Sequence, residues 1–494
     1  MSRINTNVSA LIARHNLAKS NTDLSTRLQR LSTGLKINRG ADDPAGLIVS
    51  ERLRNEIAGV TKSIDNVERA SNVIATSEAA LQEINNLLVD IKSLAIEAAN
   101  TGAFSSEETE ANQLQIDSAI ESITRIANTT SFAGLKLLNG SLDYITEDVV
   151  ASQMTDVKIY GANFGSNDNM PVNVEVLNSA QRAGLFLSGN GGGISGGSLS
   201  ASVTFEIQGR NGVEVFSFAS GTTLSAMMRA VNGISDATGV SASLANSADH
   251  TSGLNFTSAA FGSDEFVAVR KVEGGDNFQT FDGTGGATVA RDEGEDVVAL
   301  VNGNLAMGKG LNVSLRNSAL NVEFTLTSGA AQTTGSQYEF DITGGGATYQ
   351  LGPQVNSQQQ AGFGIQSVAA SQLGNSIVGF LSSIRSGGGN ALTQGSDPAD
   401  QARRAVEIVD ASTDQISTLR GRLGAFERNT LQATMRSSQI ALENLTASES
   451  SIRDTDFAEE TSAMTRAQIL QQAGTSTLAM ANNTASSVLS LLGG

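Results

Sequence analysis

The chain has 494 residues, enough for two to four domains, with 39% apolar residues, 4% aromatics and no Trp, so its cores must be built as long seams of medium-sized side chains. It has no Cys and only two His, His15 and His250, which removes disulfides, thiol nucleophiles, Cys-ligated metals and an HExxH site, and no cofactor or metal is expected. The net charge of −18 argues against a nucleic-acid partner.

Charge is unevenly spread. Residues 1–40 carry Arg3, Arg14, Lys19, Arg27, Arg30, Lys36 and Arg39 against Asp23 alone. That arm is either a solvated basic helix face or a surface that docks on acid, in its own chain or a neighbour. Arg14, His15 and Asn16 interrupt the apolar run Val8–Ile12, so no secretory signal is expected. No stretch approaches the roughly 20 apolar residues of a membrane span.

In chain order, the pattern predicts a first helix over about 5–35, with Leu17, Leu24, Leu28, Leu31 and Leu35 in a heptad seam. Asp43 and Pro44 start a second helix. Its stripe is Ile57, Val60, Ile64, Val67, Ile74, Leu81, Ile84, Leu88 and Ile91. Running to about Asn100, it would be roughly 80 Å long, too long for the inside of a lone globule. A third helix follows over about 106–128. The Gly-rich middle reads as β structure: a joint at Gly189–Ser198, a hairpin with Val203, Phe205 and Ile207 alternating before Val213 and Val215, and a short helix from Thr222 or Thr223. More strands are expected around 240–244, 254–256, 266–269, 311–315, 322–326 and 338–342. Asp397-Pro398 starts the return to helix, with Val409, Ile416, Leu423 and Phe426 on its stripe, a break near Ser448–Asp456 and a last helix over about 457–490. From Thr461 onward the only charge is Arg466.

No Gly cluster has the frame of a phosphate loop. Glu107-Glu108 and Glu459-Glu460 read as helix-start charge, and His250 as a surface loop residue. Asn-x-Ser/Thr sequons occur at near-chance density. The pattern therefore reads as an α+β multidomain chain, with a long α-helical coiled-coil stem from both termini and inserted Gly-rich β or α+β outer domains. Its expected divisions are 1–40 (terminal arm), 41–180 (N-terminal part of the stem, long helices plus a β-hairpin), 181–394 (outer β-rich region), 395–455 (stem helix) and 456–494 (terminal arm).

Two blocks at opposite ends of the chain carry a resemblance. MSRINTNVSALIARHNLAKS with LSTGLKINRGADDPAGLIVSERLRNEI, and IRDTDFAEETSAMTRAQILQQAGTSTLAMAN with SSVLSLLGG, resemble a bacterial flagellin in order and phase. FEIQGRNGVEVFSFASGTTLSAMMRAVN, within about 200–270, resembles the inserted repeat of flagellin variable regions.

The resemblance implies a structural subunit of a helical homopolymer, the extracellular flagellar filament, and no enzyme. Its terminal core would be Ile4, Val8, Leu11, Leu17, Leu24, Leu28, Leu31, Leu35, Phe457, Ile469, Leu470, Leu478, Met480, Leu489, Leu491 and Leu492. The long stripes named above would pack the stem. Implied partners are further copies of the chain, the flagellar type III export apparatus with an export chaperone, and cap and hook-associated proteins, with neither nucleic acid nor membrane. At the positions matching those read by the vertebrate flagellin-binding Toll-like receptor stand Asp90, Leu94 and Gln115; only the Leu is kept, which implies weak or absent recognition. A hook–filament junction protein, a flagellin carrying an enzyme and a coiled-coil rod are the alternatives.

Overall fold

The structure, a computed structural model, describes residues 6–102, 105–165, 167, 169–191, 193–275, 277–283, 286–317, 319–394 and 398–492, with side chains in the last helix described to 483. Helices α1 (Val8–Thr33), α2 (Pro44–Ala98) and α3 (Ser106–Thr129) come first. Helix α4 (Leu224–Asn232) lies in the strand-rich middle, and α5 (Pro398–Phe426), α6 (Gln432–Arg453) and α7 (Phe457–Leu492) follow it. The boundaries follow from local chemistry. Pro44 can open α2 because its missing N–H has no intrahelical partner there in any case. Ser105 and Glu108 cap each other at the start of α3. Gly34, left-handed at φ +72°, ends α1.

The chain forms two compact units. One comprises Met1–Ala70, Gln350–Gln359 and Glu427–Gly494, the other Ser71–Tyr349 and Gln360–Phe426. In the first unit, Arg453 on α6 reaches Glu51 on α2 (Nη1 to Oε1, 2.9 Å), and the Ser50 hydroxyl donates to Glu449 at 3.3 Å. In the second, Lys92 pairs with Asp410 at 2.6 Å and Glu78 with Arg420 at 3.8 Å. Position rises along α2 as it falls along α5, so these two helices are antiparallel. A π-helical turn, Glu427–Leu431, separates α5 from α6. The break expected to begin at Ser448 is shorter: helix continues to Arg453, and only Asp454–Asp456 precede α7.

The second unit also holds two β cores. One five-stranded sheet has the order Asn304–Leu305, Val298–Val301, Met170–Asn178, Gln337–Gly345, Tyr144–Glu147. A four-stranded sheet, Met307–Lys309, Asn312–Arg316, Leu320–Leu326 and Met154–Ala162, adds its apolar side chains to the same core, around Val172, Val174, Val322, Phe324 and Phe340. Residues 144–180 therefore share this core with 297–342. The second core lies between them in sequence. It is built from the sheet Val213–Phe218, Val203–Gln208, Phe266–Gly274, Arg291–Glu293, the sheet Val240–Asn246, Asp249–Ser258, Gly184–Ser188, and α4. The scarce aromatics concentrate here: Phe205 stacks on Phe278 with ring centres 4.8 Å apart and lies within 5.9 Å of Phe216.

Three local expectations change. Gly189–Ser198, read as a flexible joint, contains a packed turn in which Ile194–Ser195 pairs with Ser198–Leu199, and Ile194 and Leu199 are buried. Its glycines permit close approach: a Cβ on Gly189 would stand 1.6 Å from the Thr251 carbonyl oxygen. In the hairpin, Val213 and Val215 keep the alternation in the opposite phase, facing solvent while Phe216 turns inward. His250 is exposed, on a strand instead of a loop.

Polar groups fasten the helices of this unit. The buried Gln113 amide donates to the Ile384 carbonyl and to Asp117, and accepts from the Leu392 N–H, all within 2.9 Å. Arg422 of α5 lies 3.2 Å above the Tyr160 ring centre and pairs with Glu323 at 3.0 Å, and burial pushes the Tyr160 phenol up to about 12.

Burial also pushes the Asp143 carboxyl up to about 6, only partly offset by the Tyr144 N–H donated to it at 2.8 Å. A carboxyl raised in the fold is favoured protonated, so its ionisation weakens the fold as pH climbs from near 4 through 6. Asp143→Asn keeps the acceptor and removes the charge. It should stabilise the protein near neutrality by about 1–2 kcal/mol, allowing for solvent screening, with the gain vanishing below about pH 4. Thermal melts at pH 3.5 and 7.5 check this.

Candidate assembly surface

The terminal helices α1 and α7 pack on each other. Asn7 caps α1 by accepting the Ala10 N–H at 3.0 Å, and its amide donates to the Ala481 carbonyl at 2.8 Å. Gln471 donates to Asn21 at 2.8 Å, and Gly474 lies against Leu17. Arg27 pairs with Glu460 at 3.0 Å. Paired positions sum to nearly the same value throughout, so the helices are antiparallel in one continuous register. Where the pair closes, Lys36 N–H donates to Arg453 O at 2.7 Å and Thr455 N–H to Gly34 O at 2.9 Å.

The seam follows from spacing and size. On α1 the less exposed positions include Ala13, Leu17, Ser20, Leu24, Arg27 and Leu31, a row at steps of four and three. On α7 they include Glu460, Ala467, Gln471, Gly474 and Leu478. Small residues let the backbones approach: a Cβ on Gly474 would stand 3.3 Å from Leu17 Cδ1. Burial opposes the Arg27 charge, but the hydrogen bond and charge of Glu460 outweigh it and hold the guanidinium more basic than usual.

Of the expected core residues, Leu17, Leu24, Leu31, Leu35 and Leu478 are half-buried, whereas Val8, Leu11, Leu28, Phe457, Ile469, Leu470 and Met480 are exposed, Met480 at 70%. Ile4 lies outside the described residues, as do the side chains of Leu489, Leu491 and Leu492. Pattern reading did not separate seam from outer face, because it gives no weight to Ala13, Ser20, Ala467 and Gly474. Arg27 and Glu460 were missed as a pair, since they stand 433 positions apart.

Among the stem positions, Val60, Val67, Ile74, Leu81, Ile84, Leu88, Ile91, Val409, Ile416 and Leu423 are buried, and Ile57, Ile64 and Phe426 half-buried. Ile408 and Leu419 are buried as well and went unread. Asp90 and Gln115 are exposed, and Leu94 half-buried. Among the described residues no cluster of three or more His, Asp or Glu is placed to hold a metal, and no helix is long and apolar enough to cross a membrane. What the terminal pair offers is apolar surface, each such side chain releasing roughly 1.5–3 kcal/mol if fully buried.

The family model of the bacterial flagellin N-terminal helical region matches residues 4–143, that of the bacterial flagellin C-terminal helical region 406–492, and the flagellin hook IN motif 204–260. The chain is 31% identical to the B-type flagellin of Pseudomonas aeruginosa, over 99% of both chains. It is 29% identical to the flagellin of Salmonella typhimurium and 28% to that of Salmonella rubislaw, each again over 99% of both chains. The solved FliC of Burkholderia pseudomallei aligns at a TM-score of 0.22 and 14% identity, over 74% of this chain and 99% of that one. On its full-length likeness to named flagellins, the chain belongs to the bacterial flagellins and is a structural subunit of the flagellar filament.

Proposed function

We propose that the α1–α7 pair is the polymerisation core, completed only when copies meet. The observation carrying this is the outward apolar face of the pair, from Val8 and Leu11 to Ile469 and Leu470, which the single chain leaves in water. Contacts between different faces of successive copies extend as a helix instead of closing a ring. The subunit acts mechanically, without catalysis or a cofactor, and the α2 and α5 stripes pack the stem. Purified protein mixed with short filament seeds tests this by electron microscopy. Full-length chains should add long filaments of uniform width, and a chain lacking 1–40 and 457–494 should add none; normal filaments from the truncated chain would overturn the reading.

The subunit leaves the cell unfolded through the flagellar type III export apparatus, attended by an export chaperone, and has hook-associated and cap proteins as partners. The absence of Cys fits that passage, since no thiol can cross-link in transit. The hook–filament junction reading ranks second, because relatives matching the whole chain are named flagellins.

Toll-like receptor recognition should be weak, since Asp90 is an exposed acid where the resemblance calls for Arg, and Gln115 stands where it calls for Glu. Asp90→Arg with Gln115→Glu should raise the response of a receptor reporter cell at least tenfold over the unaltered chain. Full potency before substitution would refute this.

A further inference from the structure

The segment Gln350–Gln359 belongs to the compact unit of the terminal helices, although it links strands of the other unit. It is held firmly. The Ser63 hydroxyl of α2 donates to the Leu351 carbonyl, and Pro353 sits where a side chain on Gly59 would be, 3.0 Å from that Cβ position. Inside the loop, Leu351 N–H donates to Gln359 O at 2.8 Å, Gln350 Nε2 to Gln354 O at 2.7 Å, and Gln354 N–H to Gln359 Oε1 at 2.6 Å. At the tip of this braced loop Val355 is 85% exposed.

We propose that Gln350–Gln359 is a preformed knob that seats Val355 on an adjacent copy of this chain in the filament; this rests on the filament reading. Three observations favour another copy over a foreign partner. The loop has no charged residue in ten positions, whereas each copy carries −18 overall, so two copies meet here without adding acid to acid. Its compact unit is the one whose terminal helices keep apolar side chains in water, and Ile48, Val49 and Ile440 of the same unit are exposed as well. A single valine is too small an anchor for a separate complex, but in a polymer the same contact recurs with every added copy. The bracing supplies the order in advance, so docking loses little loop entropy.

The test uses the full-length chain. Val355→Asp should leave the monomer melting temperature within about one degree and slow elongation on wild-type seeds at least tenfold. Val355→Cys introduces the only thiol of the chain, and its alkylation should be at least tenfold slower in filaments than in monomers. Elongation of Val355→Asp at the wild-type rate, or a thiol equally reactive in both states, would overturn the knob. Failure of the unaltered chain to elongate its own seeds would instead overturn the filament reading.

Discussion

Ala467→Glu should abolish filament growth while leaving the β cores intact. Ala467 is 1% exposed in the α1–α7 seam, and the register sets it close to Leu24 and Asp23. Arg27, one turn along α1 from Leu24, is already engaged by Glu460 and Asp23 and is not free to meet a carboxylate there. Burying an unpaired charge costs several kcal/mol, more than a two-helix seam of Ala, Ser and half-buried Leu can return. The helices should splay, and the outward faces would lose the common frame on which copies add. Light scattering of seeded growth reads the effect, and calorimetry on the same sample should still show the β transitions. Growth at the wild-type rate would mean that the seam is dispensable.

Leu88→Ala should lower the stability of the second unit by about 2–5 kcal/mol, the usual cost of deleting a buried leucine and leaving a cavity. Leu88 is fully buried on α2, on the same stripe as Ile84 and Ile91. Its neighbour Val89, 56% exposed, supplies the contrast: Val89→Ala should cost the monomer no more than about 0.5 kcal/mol. Calorimetry of the two variants should show a drop of several degrees for the first and almost none for the second. Equal drops would mean that α2 is not packed along that stripe.

The helices were the most legible part. Long apolar stripes at steps of three, four and seven state the element, and along α2 and α5 they state its buried face as well. Faces were harder to read in short strands. Val213 and Val215 alternate as expected, but Phe216 and Phe218 hold more apolar area and decide which side turns inward. Strands 144–178 are legible only as a hairpin of the stem, because their true partners stand more than a hundred residues later and leave no local trace. Gly189–Ser198 was misread because glycine marks both a loose linker and a place where two backbones nearly touch. In the terminal pair, Leu28 and Leu31 both lie within one broad stripe, and only the position of α7 separates the half-buried Leu31 from the exposed Leu28.

The way the second β core is threaded into the first has a consequence for how such a chain can vary. Gln181 and Glu295 mark the departure and return of the inserted segment, and they exchange backbone hydrogen bonds at 2.9 and 3.0 Å, with the Gln181 amide also on the Glu295 carboxylate at 2.9 Å. Ser263 and the Gly310 N–H both bond to Asp296 beside them. Entry and exit are thus stapled together like the two ends of a cassette. A longer, shorter or wholly different insert could be spliced between those ends without asking the first β core to open.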